Sequence, residues 1–374
     1  MSKIIKILYV PSLNTPVYYW RIENYANALV KFKDRCAVHV VYLTPIESNF
    51  AWDKLCIGFG ENSDMIQNSL EAAFRFYDVI IFQKIQNKEG LALIREYKKR
   101  FPWVYIVAEL DDAIGDVPPS NIHYEKFKDH HTWSSQHIFM SDAIITSTDY
   151  LKQSMINLQA EYFDELKIVE RNYKPIHVAP NCIDKDSWHP EVKIKKRDNL
   201  RIGYVAGSGH DEDLMIAYRA MLPLMEMNKK ITFVVRYGGM APYFMKSTHR
   251  IDFKRVNWHI SKYAQELVDL DLDLALAPLR DTTFNRCKSN LRWLEFASLG
   301  CPVVASKIEP FIKTKGKVWL ADNDIKSYTE SIEQCINSVK LNKQMISEQL
   351  KKDCFENYNI ENEAGKVLDF LESL

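Results

Sequence analysis

Short apolar runs of strand length, each followed by a longer stretch of mixed polarity, recur along the chain and restrict its fold more than any other feature. The first set is Ile4–Val10, Ala37–Leu43, Val79–Phe82, Val104–Val107 and Ala143–Thr146. After an interruption the pattern restarts at Leu200–Val205 and continues through Ile231–Arg236, Leu272–Ala277, Pro302–Ala305 and Val318–Leu320. Continuous apolar runs suit strands buried on both faces, and their alternation with amphipathic segments predicts a parallel sheet wrapped by helices. A restart predicts two such α/β lobes, each Rossmann-like and doubly wound. The length of 374 residues agrees, because single cores rarely grow that large.

The charged run Glu191–Asn199 (EVKIKKRDN) lacks any core-forming period and reads as the linker. The expected organisation is a lobe over 1–190, a second over 199–355 and a terminal helix over 356–374. In that helix Ala364, Val367, Leu368 and Leu371 share one stripe. Such a stripe serves equally to close the second lobe or to pack back toward the first.

Lys plus Arg and Asp plus Glu both number 49, so no overall field draws in a phosphate polymer, and any nucleic-acid contact has to be local. Seven cysteines, scattered and odd in number with no CxxC pair, argue against a zinc site or a disulfide framework and fit a reducing cytoplasm. Met1–Val10 is too short for a signal peptide, and no run of eighteen apolar residues is present to span a membrane. Arg95–Arg100 (REYKKR), flanked by Phe101 and Trp103, is either a weak contact to an anionic membrane surface or a solvated helix end.

Glycine is scarce, yet Gly203, Gly207, Gly209, Gly238 and Gly239 gather at the ends of the first two strands of the second lobe. Backbone there is expected to approach something closely. Tyr204–Gly209 (YVAGSG) precedes a helix from Asp211, which makes Gly207, Ser208 and Gly209 a phosphate cradle or simply a tight turn. His210 follows, placed to hydrogen-bond a phosphate oxygen or a sugar hydroxyl, or else solvated. Residues 276–306 carry more information. Ser289 is the expected N-cap of a helix, so the N–H groups of Asn290, Leu291 and Arg292 would face a loop that also holds Arg286 and Lys288. Two cations beside a helix N-terminus form an anion site, and Glu295, further along the helix, would reach hydroxyls attached to that anion. Phosphate and sugar together describe a nucleotide. The bland alternative makes Arg286 and Lys288 solvated and pairs Glu295 with Arg292 on an exposed helix face.

In the first lobe, Glu109, Asp111 and Asp112 end an apolar strand, with Glu109 and Asp111 on one face by the two-residue period. Asp111 and Asp112 are candidates for orienting or deprotonating an acceptor hydroxyl, or for capping a turn. Arg21, at the end of Thr15–Arg21 (TPVYYWR), is a candidate contact to an anionic donor or acceptor, and Glu109 is a separate candidate acceptor contact; Tyr18, Tyr19 and Trp20 otherwise cover the sheet edge. Asp269, Asp271 and Asp273 alternate, and are read as a polar face rather than a metal site.

Residues Glu295–Ala305 (EFASLGCPVVA) are similar to the helix, Gly and Pro-Val-Val motif of nucleotide-sugar glycosyltransferases of the GT-B fold, and within them of glycosyltransferase family 4. Pro180–Asp184 (PNCID), Arg201–Tyr204 with the Gly207–His210 turn, and Val107–Asp112 before Ser141–Thr148 resemble further family segments in the right order. One departure stands out: the family places a first Glu where this chain has Cys287. The resemblance implies two Rossmann-like lobes facing across a cleft, with donor in the second and acceptor in the first. It also implies sugar transfer to a hydroxyl with retention, without cofactor or metal. Arg286 and Lys288 would neutralise the diphosphate, Asn290 and Leu291 would donate N–H groups, and Glu295 would hold ribose hydroxyls. The acceptor would be a glycan or lipid-linked precursor, with a modified DNA base kept open, in a cytoplasmic protein peripheral to the inner face of a membrane. A sugar-nucleotide epimerase and a non-catalytic nucleotide-sugar-binding module remain the competing readings.

Overall fold

Strands form where an apolar run is covered on both sides: every residue of Val79–Gln83 and of Ala143–Thr146 is buried, as is every residue of Leu274–Ala277. The computed structural model describes residues 3–11, 16–41, 55–58, 66–68, 70–84, 88–128, 130–185, 188, 190, 197–240, 242, 245, 250–256 and 260–374. Residues 191–196 of the expected linker, Thr15 and the end of the expected second strand at 42–43 lie outside them. The chain divides into two compact units. Unit 1 comprises Met1–Asp116, Lys126–Cys182 and Ile360–Leu374; unit 2 comprises Val117–Glu125 and Ile183–Asn359.

Unit 1 is built on β1 (Ile5–Val10), β2 (Cys36–Val41), β3 (Leu55–Gly58), β4 (Ile66–Asn68), β5 (Val79–Gln83), β6 (Tyr105–Leu110), β7 (Ala143–Thr146) and β8 (Ile176–Val178). Their order is β4-β3-β2-β1-β5-β6-β7-β8. The six strands from β2 to β8 in this order pair in parallel, and β3 and β4 extend them antiparallel. Around the sheet run α1 (Pro16–Tyr18), α2 (Asn24–Leu29), α3 (Leu70–Phe76), α4 (Lys88–Arg100), α5 (Tyr124–Phe127, where the chain passes between units), α6 (His130–Met140) and α7 (Asp149–Glu165). Thr148 starts α7 by accepting the Leu151 N–H on its side chain. Leu8, Phe74, Ile80, Phe82, Ile94 and Ile106 form one core cluster, all at or below 1% exposure.

Unit 2 contains β9 (Leu200–Ala206), β10 (Ile231–Tyr237), β11 (Ile251–Arg255), β12 (Leu274–Ala277), β13 (Val303–Ser306) and β14 (Trp319–Ala321), all parallel, in the order β11-β10-β9-β12-β13-β14. That is the doubly wound order, and it reverses between β9 and β12, where open parallel sheets hold their ligands at the carboxyl ends. The helices are α8 (Asp211–Met227), α9 (Ile260–Asp269), α10 (Thr283–Cys287), α11 (Leu291–Ser298) and α12 (Ile325–Asn357), the last kinked at Asn342.

The glycines at these strand ends divide by what they meet. A Cβ on Gly203 would strike the Leu272 side chain, and one on Gly238 would come within 2.7 Å of the Ser208 N–H nitrogen. The close approach expected at both is therefore made by the protein itself. Gly207 alone of the three has open space where its Cβ would be.

The terminal helix α13 (Ile360–Glu372) belongs to unit 1, where it packs on α2. Ile360, Ala364, Val367, Leu368 and Leu371 are buried by it, and Arg35 pairs with Asp369 and Glu372 at the exposed margin. Exposed pairs contribute little, so the apolar stripe does most of the holding. Leu368→Ala, at a fully buried position, is expected to lower stability by about 2–5 kcal/mol. Urea unfolding would measure this, and a loss below about 1 kcal/mol would show that α13 does not anchor the unit.

Candidate functional site

The turn after β9 is built so that its backbone faces outward. Gly207 and Ser208 are exposed, and Gly209 adopts φ +85°, a left-handed conformation that favours glycine. The Val117–Glu125 segment, which belongs to the same unit, pins the turn: Asn121 donates its amide N–H to the Gly209 carbonyl at 3.0 Å, and His123 Nε2 lies 3.1 Å from Ser208 Oγ. Neither residue carries a motif that sequence reading could have used.

His210 occupies the cap position of α8 but makes no capping bond. Its Nδ1 lies 2.6 Å from Asp213 Oδ2 and 2.9 Å from an Arg292 guanidinium nitrogen. The other Asp213 oxygen accepts the Arg280 backbone N–H at 2.7 Å. Burial, reinforced by the Arg292 and Lys288 charges, lowers the imidazole pKa to about 4, so the ring is neutral in ordinary buffers. Asp213 is almost fully buried, which raises its pKa, but the His210 hydrogen bond and the Arg292 charge outweigh that and hold it below its usual value.

The loop that leads to α11 departs from expectation in detail. Thr282 caps the short helix α10, which contains Arg286 and ends before Lys288. Arg286 is bonded in bidentate fashion to Asp281, at 2.5 and 2.8 Å, on an exposed surface. Its charge is thus already shared. Lys288 lies with Nζ 4.3 Å from the Phe284 ring centroid. Ser289 is not the N-cap of the next helix; Asn290 takes that position, because Lys288 ends α10 with extended backbone and delays the next helical turn. Asn290 does not cap with its side chain either. Its amide donates to Tyr358 Oη at 2.8 Å and to Thr314 Oγ1 at 3.2 Å. The N–H groups of Leu291, Arg292 and Trp293 precede the first intrahelical bond, which Leu294 makes to the Asn290 carbonyl.

Arg292 and Glu295 are not an exposed pair. Arg292 turns back over the sheet, donating to the Pro278 carbonyl at 3.1 Å and lying 5.5 Å from the Tyr204 ring centroid. Glu295 is 5% exposed and accepts from Tyr263 Oη at 3.0 Å. Burial raises its pKa to about 8 despite that hydrogen bond and the Arg292 charge. Cys287 is fully buried and presents no polar group to a ligand.

In unit 1 the structure corrects two expected acceptor contacts. Arg21 and Glu109 face inward, paired at 2.7 Å and both about 2% exposed or less. The reason is local: Tyr19–Glu23 widens into a π-helical turn that buries Trp20, Arg21 and Ile22 in succession. Arg21 also donates to the Ala179 carbonyl at 2.6 Å and to Asn181 Oδ1 at 3.1 Å, which ties the start of the chain to the PNCID segment. Asp111 and Asp112 lie beyond the end of β6, and both are met by Lys84, at 3.8 Å in the case of Asp112. Lys84 was not legible as a site residue. It sits at the end of β5 with φ +38° and bonds its N–H to the Glu109 carbonyl. In the REYKKR stretch, Lys98 is drawn to Asp142 at 2.6 Å and Phe101 is buried, while Trp103 is 64% exposed.

Asp271 and Asp273 are both paired with Arg197, and Asp273 also with Lys343. They line a cavity of about 890 Å³ whose wall includes Leu272, Phe296 and Lys351. Leu200, Asp273 and Pro302 also line it, so this cavity lies at the amino ends of β9, β12 and β13, opposite the glycine turn. Among the described residues no cluster of three or more His, Cys, Asp or Glu has metal-binding geometry, and no helix is long and apolar enough to cross a membrane.

Two Rossmann-like parallel α/β units define the GT-B fold, and comparison with solved structures agrees. Anabaena HepE in complex with UDP and glucose matches at a TM-score of 0.60 and 14% identity over 99% of this chain and 100% of that one. The catalytic domain of Arabidopsis thaliana starch synthase IV, bound to ADP and acarbose, matches at 0.66 and 10% over 98% of both chains. A UDP-N-acetylglucosamine 2-epimerase structure from Listeria monocytogenes matches at 0.55 and 13% over 99% and 96%. No protein-family model matches the chain, and no curated protein matches its sequence.

A carboxyl group with a folded pKa near 8 and an ordinary value of 4.5 stabilises the fold as its neutral form. Its contribution is present below pH 4.5 and is lost as pH rises toward 8. The melting temperature of Glu295→Gln, which cannot ionise, should therefore rise relative to that of the unsubstituted protein across this interval. Parallel melting profiles from about pH 5 to 8 would show that Glu295 is not held neutral.

Proposed function

We propose that this protein is a glycosyltransferase that moves a sugar from a nucleotide-sugar donor, held by unit 2, to an acceptor hydroxyl, held by unit 1. One observation carries the reading. At the switch point of unit 2, Lys288 and the open backbone of Gly207 lie in two adjacent strand-to-helix connections, and α11, to which the Lys288 connection leads, brings its N-terminus, Arg292 and the buried carboxyl of Glu295. Such an assembly offers N–H groups and cations for a diphosphate and a carboxyl for ribose hydroxyls. GT-B neighbours with UDP or ADP bound support the donor class.

The chemistry follows from charge. As the anomeric bond breaks, negative charge grows on the departing diphosphate, and fixed cations and helix N–H groups stabilise it most in that transition state. Lys288 and Arg292 take this role, with Leu291 and Arg292 donating N–H groups; Arg286, shared with Asp281, contributes less. In this reading transfer proceeds with retention and needs no added metal or cofactor. The Lys84, Asp111 and Asp112 cluster orients the acceptor hydroxyl, and the departing phosphate takes its proton. A glycan or lipid-linked precursor is the favoured acceptor, since balanced charge gives a DNA base no long-range attraction. Trp103, exposed beside Lys99 and Arg100, would supply the weak membrane contact a lipid-linked acceptor needs.

Lys288→Ala and Arg292→Ala are expected to lower kcat at saturating donor by roughly ten- to a thousandfold, and Arg286→Ala by less. Release of nucleoside diphosphate with time measures all three, and unchanged kcat in the first two would move the anion site elsewhere. The epimerase neighbour keeps one second reading in view. Incubating the protein with nucleotide sugars and no acceptor decides it: a new sugar isomer would favour epimerisation.

A further inference from the structure

Resting on the nucleotide-sugar reading, we propose that His210 recognises a hydroxyl of the transferred sugar through Nε2, and that Asp213 is the positioning residue that fixes the imidazole tautomer for this purpose. Two neighbours compete for Nδ1, Asp213 Oδ2 at 2.6 Å and the Arg292 guanidinium at 2.9 Å. A ring nitrogen either donates or accepts. A guanidinium has only donors and a carboxylate only acceptors, so both contacts cannot be hydrogen bonds at once. The carboxylate is closer, ionised and anchored by the Arg280 N–H. A bare lone pair facing it at that distance would be repelled. The proton therefore sits on Nδ1 and is donated to Asp213, with Arg292 left as a neighbouring positive charge that opposes a second protonation.

That assignment leaves Nε2 as an acceptor with no protein partner among the described residues, on a side chain that is 19% exposed. Its chemistry is then narrow. The diphosphate of a nucleotide sugar carries no proton at neutral pH and offers Nε2 no donor, whereas a hydroxyl does. Of the hydroxyls on a nucleotide sugar, those of ribose are assigned to Glu295. His210 instead stands among Arg292 and Lys288, the charges assigned to the diphosphate, where the transferred sugar is attached.

Asp213→Asn tests this with little change of shape. The Arg280 N–H still requires an oxygen, so the carbonyl of the introduced amide takes that place and the amide NH2 points at His210 Nδ1. Nδ1 must then accept, the proton moves to Nε2, and the proposed acceptor becomes a donor. Binding is compared by calorimetry for UDP with UDP-glucose, ADP with ADP-glucose and GDP with GDP-glucose. For the pair the unsubstituted protein binds tightest, Asp213→Asn should weaken the sugar nucleotide roughly ten- to a hundredfold and leave the diphosphate within about twofold. His210→Phe, which removes the acceptor but keeps a ring, should do the same. Nitrogen-15 NMR of the imidazoles should show the His210 proton moving from Nδ1 to Nε2 in Asp213→Asn. Equal losses for diphosphate and sugar nucleotide would overturn the proposal in favour of a structural or ribose contact, and so would no loss at all. If the unsubstituted protein binds none of the diphosphates, the nucleotide-sugar reading itself fails, and that result is distinct from either of the others.

Discussion

A parallel sheet covered on both faces meets water only at its strand ends, and this constraint decides where chemistry can sit in each unit. In unit 2 the strand order reverses between β9 and β12, so the connections after these strands diverge and leave backbone exposed between them. The turn at Gly207 and the segment from Thr282 to Leu291 are those two connections. What the sheet interior supplies is rigidity: Tyr204 in β9 and Leu276 in β12 are fully buried. Side chains anchored on such a base keep their geometry without help from a ligand.

Charge at these ends is mostly spoken for. Arg21 is consumed by Glu109 and by the PNCID segment, Arg286 by Asp281, and Arg197 by Asp271 and Asp273. Breaking the buried Arg21 pair would leave an uncompensated charge in the core, a change that costs several kcal/mol. Arg292 is placed differently. Its nearest acceptor is a carbonyl and its nearest anion is reached only through an imidazole, which leaves much of its charge available to a ligand.

The two-lobed fold was legible because burial on both faces writes itself into sequence as apolar runs, and all ten expected runs contain or overlap a strand. β3, β4, β8 and β11 were not legible. They are three to five residues long, and β11 (IDFKR) is a polar edge strand, so no such run marks them. At the site, the spacing of Lys288 and Glu295 around one helix start was readable, but their partners were not. Tyr263 reaches Glu295 from elsewhere in the sequence, as Arg280 reaches Asp213 and, in unit 1, Lys84 reaches Asp111 and Asp112, each brought there by the fold. The shift of the helix cap from Ser289 to Asn290 is local instead, and follows from the extended backbone of Lys288 at the end of α10.

Position 287 sets a chemical demand that its neighbours have to meet. In the family that the sequence resembles a glutamate stands there, and in this chain a cysteine, fully buried, cannot replace its contact with the donor sugar. In the proposed scheme a sugar has to be oriented by acceptors as well as donors, because its hydroxyls both give and receive hydrogen bonds. Among the groups at the unit 2 switch point, Lys288 and Arg292 are donors only, and the N–H groups of α11 likewise. Glu295, held by Tyr263, is committed in the proposed scheme to ribose. The His210 ring adds an acceptor to this cluster, and it has one only while Asp213 keeps the proton on the other nitrogen. In the proposed scheme, the demand for an acceptor that a carboxylate at position 287 would meet falls instead on a neutral imidazole and on the buried aspartate behind it.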